Sequence, residues 1–265
     1  MAAESNFSKA ISDLTRGISL SHVWIYQAYH EITAKYKRTL LGSLWNTGSM
    51  VVTALSFSIV FGALFGQDLR TFFPFVMAGI IGFNMVSHLF SEAPDVYVAN
   101  GGIISNHAGP FTYYTFESVT KNFFITLHGV VVFFVVVSIL GVFKIPHWSI
   151  LIGFPVVLLN MATWGAVVSL AAARFKDLRF LLPYLSQLVM FLSPIMFRPD
   201  QLPEQKQFII NFNPFYPLIE MIRSPLLGTY MPLKYVPMAA GVTVLGIVVW
   251  FFAFSAFRRR IAFWI

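Results

Sequence analysis

Residues 40–65 and 148–173 each run past the length of a bilayer crossing without one ionisable side chain. A helix needs about 20 predominantly apolar residues to cross the hydrocarbon core. Backbone placed there must satisfy its own hydrogen bonds, so such segments fold as helices or not at all. Four more segments follow the pattern. Residues 72–91 contain only His88, 123–143 only His128, and 180–197 (which is short) and 235–257 are uncharged. The chain is 57% hydrophobic and 11% charged, against roughly 25% charged in soluble domains. That is too little polar surface to coat a water-soluble exterior. The reading is an all-α integral membrane protein with six transmembrane helices in a single domain, 1–265. Cysteine is absent, which excludes disulfides, thiolate metal sites and cysteine nucleophiles. The first residues have no continuous apolar core and do not read as a cleaved signal peptide.

An even number of spans puts both termini on one side. With the termini inside, the inner segments hold Lys9, Arg16, Lys35, Lys37, Arg38, Lys121, Arg174, Lys176, Arg179, Arg258, Arg259 and Arg260. The outer segments hold Arg70, Lys144, Arg198, Lys206, Arg223 and Lys234. Positive charge accumulates on the cytoplasmic side, so both termini are expected there. The net charge of +7 thus reads as topogenic. It does not line one face of a soluble domain, as nucleic-acid binding requires.

The connections are unequal. Ahead of the first span, Ile18, His22, Ile25, Tyr29, Ile32 and Tyr36 recur at spacings of three and four. This predicts an amphipathic helix over 18–38 lying in the cytoplasmic interface; the alternative is a surface helix of a small soluble region. Between spans two and three, paired breakers bracket IISNHA (103–108), giving either a short helix that docks on another protein or a solvated loop. Between spans five and six lies a long connection with six prolines, and loops of that length are usually structured or functional. Pro203 and Pro217 each suit a first helical turn, and Pro225 reads as a stop. Two short helices over 203–228 then form a re-entrant hairpin that packs among the spans or lines a watery mouth. Glu220 and Arg223, three apart, share one side. They form either a partly exposed ion pair of little energetic weight or a polar lining.

No phosphate-binding loop, zinc-protease motif or nucleophile elbow is present. The six histidines are scattered, which disfavours a metal site. Glu92, Asp95 and Glu117 sit at span ends rather than at membrane depth, which disfavours a proton relay. The chain has no means of harvesting energy, so uphill transport needs a motor in another subunit. Aromatic faces can stack on sugar rings. Tyr29, Tyr36, Trp45, Trp164 and Tyr184 are candidates for lining such a path, with ordinary packing as the alternative for each.

The segments YKRTLLGSLW (36–45), VFGALFG (60–66), RFKDLRFLLPYLSQ (174–187), SPIMF (193–197) and NPFYPLIEMIRSPLLG (213–228) occur in an order and spacing that resembles a known family. The chain is similar to ABC-2-type permeases of polysaccharide exporters, those for O-antigen, capsule and teichoic acid. The resemblance implies a bacterial cytoplasmic-membrane homodimer with a channel between copies, moving a lipid-linked polysaccharide. It implies two separate ATPase subunits that bind ATP and Mg, and no cofactor on this chain. Contact with the ATPase would fall on 18–38 and on a coupling loop at 99–111. By position this means Gly102, Ile103, Ile104 and Asn106, with Glu31, Arg174, Lys176, Asp177 and Arg179 on the same side. The hairpin carrying Glu220 and Arg223 would be an outer gate. The alternative within the family is a permease for a drug, lipid or other glycoconjugate. A membrane-embedded transferase would have to rely on His88 or His128.

Overall fold

A computed structural model describes residues 6–36, 44–107 and 109–265, the side chains at 35, 36, 44 and 46 excepted. The Tyr36 side chain and residues 40–43 of the expected first span therefore lie outside the described residues. The chain is all-helical, with no strand among the described residues. The helices are α1 Asn6–Ser19, α2 Ser21–Tyr36, α3 Leu44–Phe65, α4 Leu69–Ser91, α5 Val96–Ala99, α6 Gly101–Asn106 and α7 Phe111–Ile139. There follow α8 Ile150–Arg174, α9 Leu178–Leu192, α10 Phe208–Asn211, α11 Tyr216–Leu226, α12 Val236–Phe257 and α13 Ile261–Trp264. Among the described residues five helices are long and apolar enough to cross a membrane, those built on α3, α4, α7, α8 and α12. The apolar α9 has 15 residues and falls short of a full crossing.

The axis of the molecule is α4. In its most apolar stretch 83% is buried, against 11% in that of α12, so α4 is enclosed by protein while α12 presents most of its surface outward. Helices α3, α7, α8, α9 and α11 all pack on α4. Its Phe72, Val76, Met77, Ile81, Met85 and Leu89 form one core with Phe133, Val157, Met161, Leu218 and Ile222.

Two expectations about boundaries are corrected. The helix predicted over 18–38 is two helices broken at Leu20, and the stronger segregation of apolar from polar residues is in α1. Trp24 Nε1 donates to the Gly17 carbonyl at 3.0 Å and fixes the bend. The third span, read as starting at 123, belongs to a helix that starts at Phe111. Hydropathy lapses at Thr112, Thr115, Glu117 and Ser118, but these side chains are buried against protein rather than lipid. Tyr97 meets Thr115 at 3.3 Å, and Ser118 bonds His88 Nε2 at 2.8 Å.

The start of α7 is capped from a distant helix. Asp13 of α1 accepts from the Phe111 and Thr112 backbone N–H groups at 3.2 and 3.0 Å and from Thr112 Oγ1 at 2.9 Å. These are orphan donors of a helix N-terminus, where a carboxylate is favoured. Arg258, just past α12, donates to the same carboxylate at 2.8 Å. One aspartate thus ties three helices, and its side chain is completely buried. Ala10, Tyr97, Ile104, Tyr114, Leu170 and Phe254 close a second core around it.

Candidate functional site

Between positions 76 and 90 of α4 only Asn84 and Ser87 are not buried. They open onto a groove of about 300 Å³ between α3, α4, α7 and α9. Ser87 and Ser91 continue the stripe from Asn84 at spacings of three and four, and Ser49 and Thr53 of α3 face it with Asn122 of α7. Several of these hydroxyls spend their proton on their own helix: Thr53 on Ser49, Ser87 on Asn84 and Ser91 on Ser87, at 2.9, 3.3 and 2.9 Å. Their remaining lone pairs and the amides face the groove as neutral acceptors and donors. Phe57, Phe83, Ile125 and Met190 provide apolar walls. At the α6 end of the groove, Lys121 of α7 stands 3.4 Å from Glu31 of α2 and 3.8 Å from Glu92. Such a surface can hydrogen-bond a hydroxylated solute in place of water while offering no charge at mid-depth.

At the opposite end, α11 lies against α4 and α8. Glu220 and Arg223 form an ion pair on it with side chains 6% and 2% exposed. Neither expected form, a partly exposed pair or a polar lining, is what the structure has: this pair is buried inside the chain. Tyr216 OH donates to Glu220 Oε1 at 2.6 Å and accepts from Arg223 at 3.1 Å. Ser224 donates to the other Glu220 oxygen, and the Pro194 carbonyl accepts from Arg223. The guanidinium also lies 4.2 Å from the Phe75 ring centroid. Asn213 completes the clasp. Its Oδ1 accepts from the Phe215 and Tyr216 N–H groups at the start of α11, and its Nδ2 reaches Ser193 Oγ at 3.0 Å. SPIMF and NPFYPLIEMIRSPLLG, separate in sequence, are therefore fastened together.

The hairpin differs from its expected form at two points. Its first arm is a 3-10 turn, Glu204–Lys206, followed by the single turn α10. Pro225 lies within α11 and does not stop it; the chain turns at Gly228, which has φ of 78°, a value that favours glycine. Pro225 has no N–H for the Met221 carbonyl four residues back. That carbonyl points at Gly153 of α8, where a Cβ would stand 2.2 Å from it. Likewise a Cβ on Gly82 of α4 would stand 2.8 Å from the Ile219 carbonyl. Two glycines thus let α11 lie backbone-to-helix between two spans.

At the α6 end, the positions expected to couple fall on separate segments, and α6 itself packs on α5 and α13. Ile104 is buried in the second core, while Gly102, Ile103 and Asn106 face outward. Asn106 Nδ2 holds the Gly102 carbonyl at 2.8 Å. Arg179 pairs with Asp95 just ahead of α5, and Arg174 lies 5.9 Å from the Trp264 ring. Ile265 in turn packs on Gly101. Lys176 and Asp177 are exposed in the turn between α8 and α9. Glu31 is on α2, tied to Lys121.

The aromatic path candidates do not converge. Trp164 donates to the Val242 carbonyl at 3.2 Å and packs α8 on α12. Tyr29, Trp45 and Tyr184 are exposed on α2, α3 and α9, and none of them lines the groove. The groove residues are small and polar, and sequence reasoning passed over them. Their signal was present as Ser49 and Thr53, and as Asn84, Ser87 and Ser91, at helical spacing in apolar context.

These features define a multi-pass helical membrane protein with a polar groove between its spans. The chain belongs to the ABC-2 type transporter family, whose model matches residues 24–227, from α2 through the end of α11. An O-antigen export system permease protein RfbA from Klebsiella pneumoniae is 20% identical over 239 residues, 88% of this chain and 90% of that one. A second protein of that name and organism is 20% identical over 211 residues, 78% and 80% of the two chains. Nodulation protein J from Rhizobium leguminosarum bv. viciae is 33% identical over 118 residues, 43% of this chain and 45% of that one.

Proposed function

We propose that this chain is the channel-forming subunit of an ATP-driven exporter moving a lipid-linked, O-antigen-like polysaccharide out across the bacterial cytoplasmic membrane. The observation that carries this reading is the opening of α4, otherwise buried from 76 to 90, at Asn84 and Ser87 onto a polar groove whose one charged lining residue, Glu92, lies at its α6 end beside Lys121. A glycan offers hydroxyls that such a surface can bond. In this reading α9 is the fifth of six spans, helped across by the residues that follow it, and α10 and α11 form the re-entrant hairpin. Both termini are cytoplasmic, and two copies form the channel. ATP and Mg bind a separate ATPase subunit docked on α6, with α2 and the α8–α9 turn beside it. ATP can shift the permease only if that subunit binds its two states unequally. The firm seat and exposed face of α6 suit that task.

The test is glycan export in cells carrying Asn84→Leu with Ser87→Val. Surface polysaccharide is expected to fall by about tenfold or more, the effect of a bonded contact or two. Protein level and co-purification with the ATPase should hold. Undiminished surface glycan would remove the groove from the path.

A further inference from the structure

A second cavity, of about 520 Å³, lies beside the hairpin at the end of the bundle away from α6. Its floor is apolar, with Phe75 from the first turns of α4, Phe133 and Val137 from the last turns of α7, and Leu226 of α11. Its rim bears three cations from three separate segments: Arg70 at the start of α4, Lys144 beyond α7 and Arg198 beyond α9. None of the three joins an ion pair among the described residues. The Arg198 Nε is buried without a hydrogen-bond partner, while its guanidinium lies 5.3 Å from the Phe75 ring centroid. A buried guanidinium N–H without an acceptor is costly, and a bound anion supplies one.

The vertical order of these groups narrows the ligand. Phe133 lies six residues before Ile139, the end of α7, which at 1.5 Å per residue is about 9 Å down the helix. The floor is thus set below the helix end, with cations at or past it. A free anion would leave the floor unfilled, and a neutral lipid would leave the cations unpaired. Phosphate suits the rim better than a single carboxylate does, because it offers more acceptor oxygens to share between two arginine forks and a lysine, and three cations can balance a dianion.

We propose that this cavity binds a chain-bearing phosphate, with its phosphate between Arg70, Lys144 and Arg198 and its first methylenes against Phe75, Phe133 and Val137. The source is either a phospholipid of the surrounding leaflet or the phosphorylated lipid of a lipid-linked substrate. The site stands independently of the export reading, since binding needs only the isolated protein.

The test is a titration of the purified full-length protein in a neutral detergent with dioctanoyl phosphatidic acid, farnesyl phosphate, dioctanoylglycerol and inorganic phosphate. At least one chain-bearing phosphate should bind saturably, about tenfold or more tighter than dioctanoylglycerol and inorganic phosphate, and Arg70→Gln or Arg198→Gln should weaken it about tenfold, the scale of a charge-assisted hydrogen bond. Tighter binding of dioctanoyl phosphatidic acid supports the phospholipid source, and tighter binding of farnesyl phosphate the lipid-linked one. Lys206→Gln, a cation of the same connection outside the cavity, should leave affinity unchanged. If the arginine variants do not fold, Val137→Trp fills the floor and should abolish binding. Equal binding of dioctanoylglycerol, equal binding of inorganic phosphate, no saturable binding, or full affinity in the folded cavity variants would each overturn the proposal.

Discussion

Arg223 is the largest fully buried side chain among the described residues, and it tolerates that position because Glu220, Tyr216 and the Pro194 carbonyl surround it. Breaking a buried pair by removing one partner is far costlier than replacing both. Arg223→Met and Glu220→Gln should each lower unfolding stability by about 3–5 kcal/mol. The double variant should lose less than the sum, read from denaturation of the detergent-solubilised protein; strict additivity would contradict the clasp. Asp13→Ala removes the cap on α7 and strands Arg258. A cost of about 1–2 kcal/mol is expected from the cap alone, together with faster proteolysis of α1. The sequence showed that Glu220 and Arg223 share a helix side, because spacing is local. It could not show their burial, which depends on Ser193 and Pro194 arriving from a distant segment. Asp13 was invisible for the same reason: its partners are Phe111, Thr112 and Arg258.

At the scale of elements, the long spans were legible because lipid demands unbroken apolarity. The start of α7 was not, since Glu117 and Ser118 break the apolar run while protein contacts satisfy them. The helix start at Pro217 was legible. The seating of α11 was not, because it rests on Gly82 and Gly153, which carry no periodic signal. Gly153→Val should destabilise by about 1–3 kcal/mol through overpacking against the Met221 carbonyl. The same change at Gly241, where a Cβ meets nothing within 4 Å, should be tolerated; equal melting temperatures for the two variants would refute the seating. On α6 one isoleucine is buried and one exposed, so the proposed docking can be tested apart from folding. Ile103→Asp should abolish co-purification with the ATPase at unchanged melting temperature, whereas Ile104→Asp should lower both.

For the whole molecule, the absence of native cysteine makes topology directly measurable. In the proposed orientation, a cysteine at Ser105 should react with an impermeant maleimide only in inverted vesicles. One at Lys206 or Thr229 should react only in intact cells with a permeabilised outer membrane. The reverse pattern would invert the assignment, and reaction of all three from one side would remove the odd crossing that α9 must complete. Helix content and membrane class were readable from composition. The groove was not, because it is shaped by small polar residues such as Asn84 and Ser87 and not by aromatic ones such as Trp164 and Tyr184.

The most direct measurement is translocation itself. The chain is reconstituted with its ATPase in proteoliposomes holding a fluorescent lipid-linked glycan, and glycan exposed on the acceptor face is counted with and without ATP. Transfer should depend on ATP and fall by about tenfold in Asn84→Leu/Ser87→Val at unchanged complex assembly. Transfer that ignores ATP, or that proceeds at full rate through the altered groove, would contradict the proposed function.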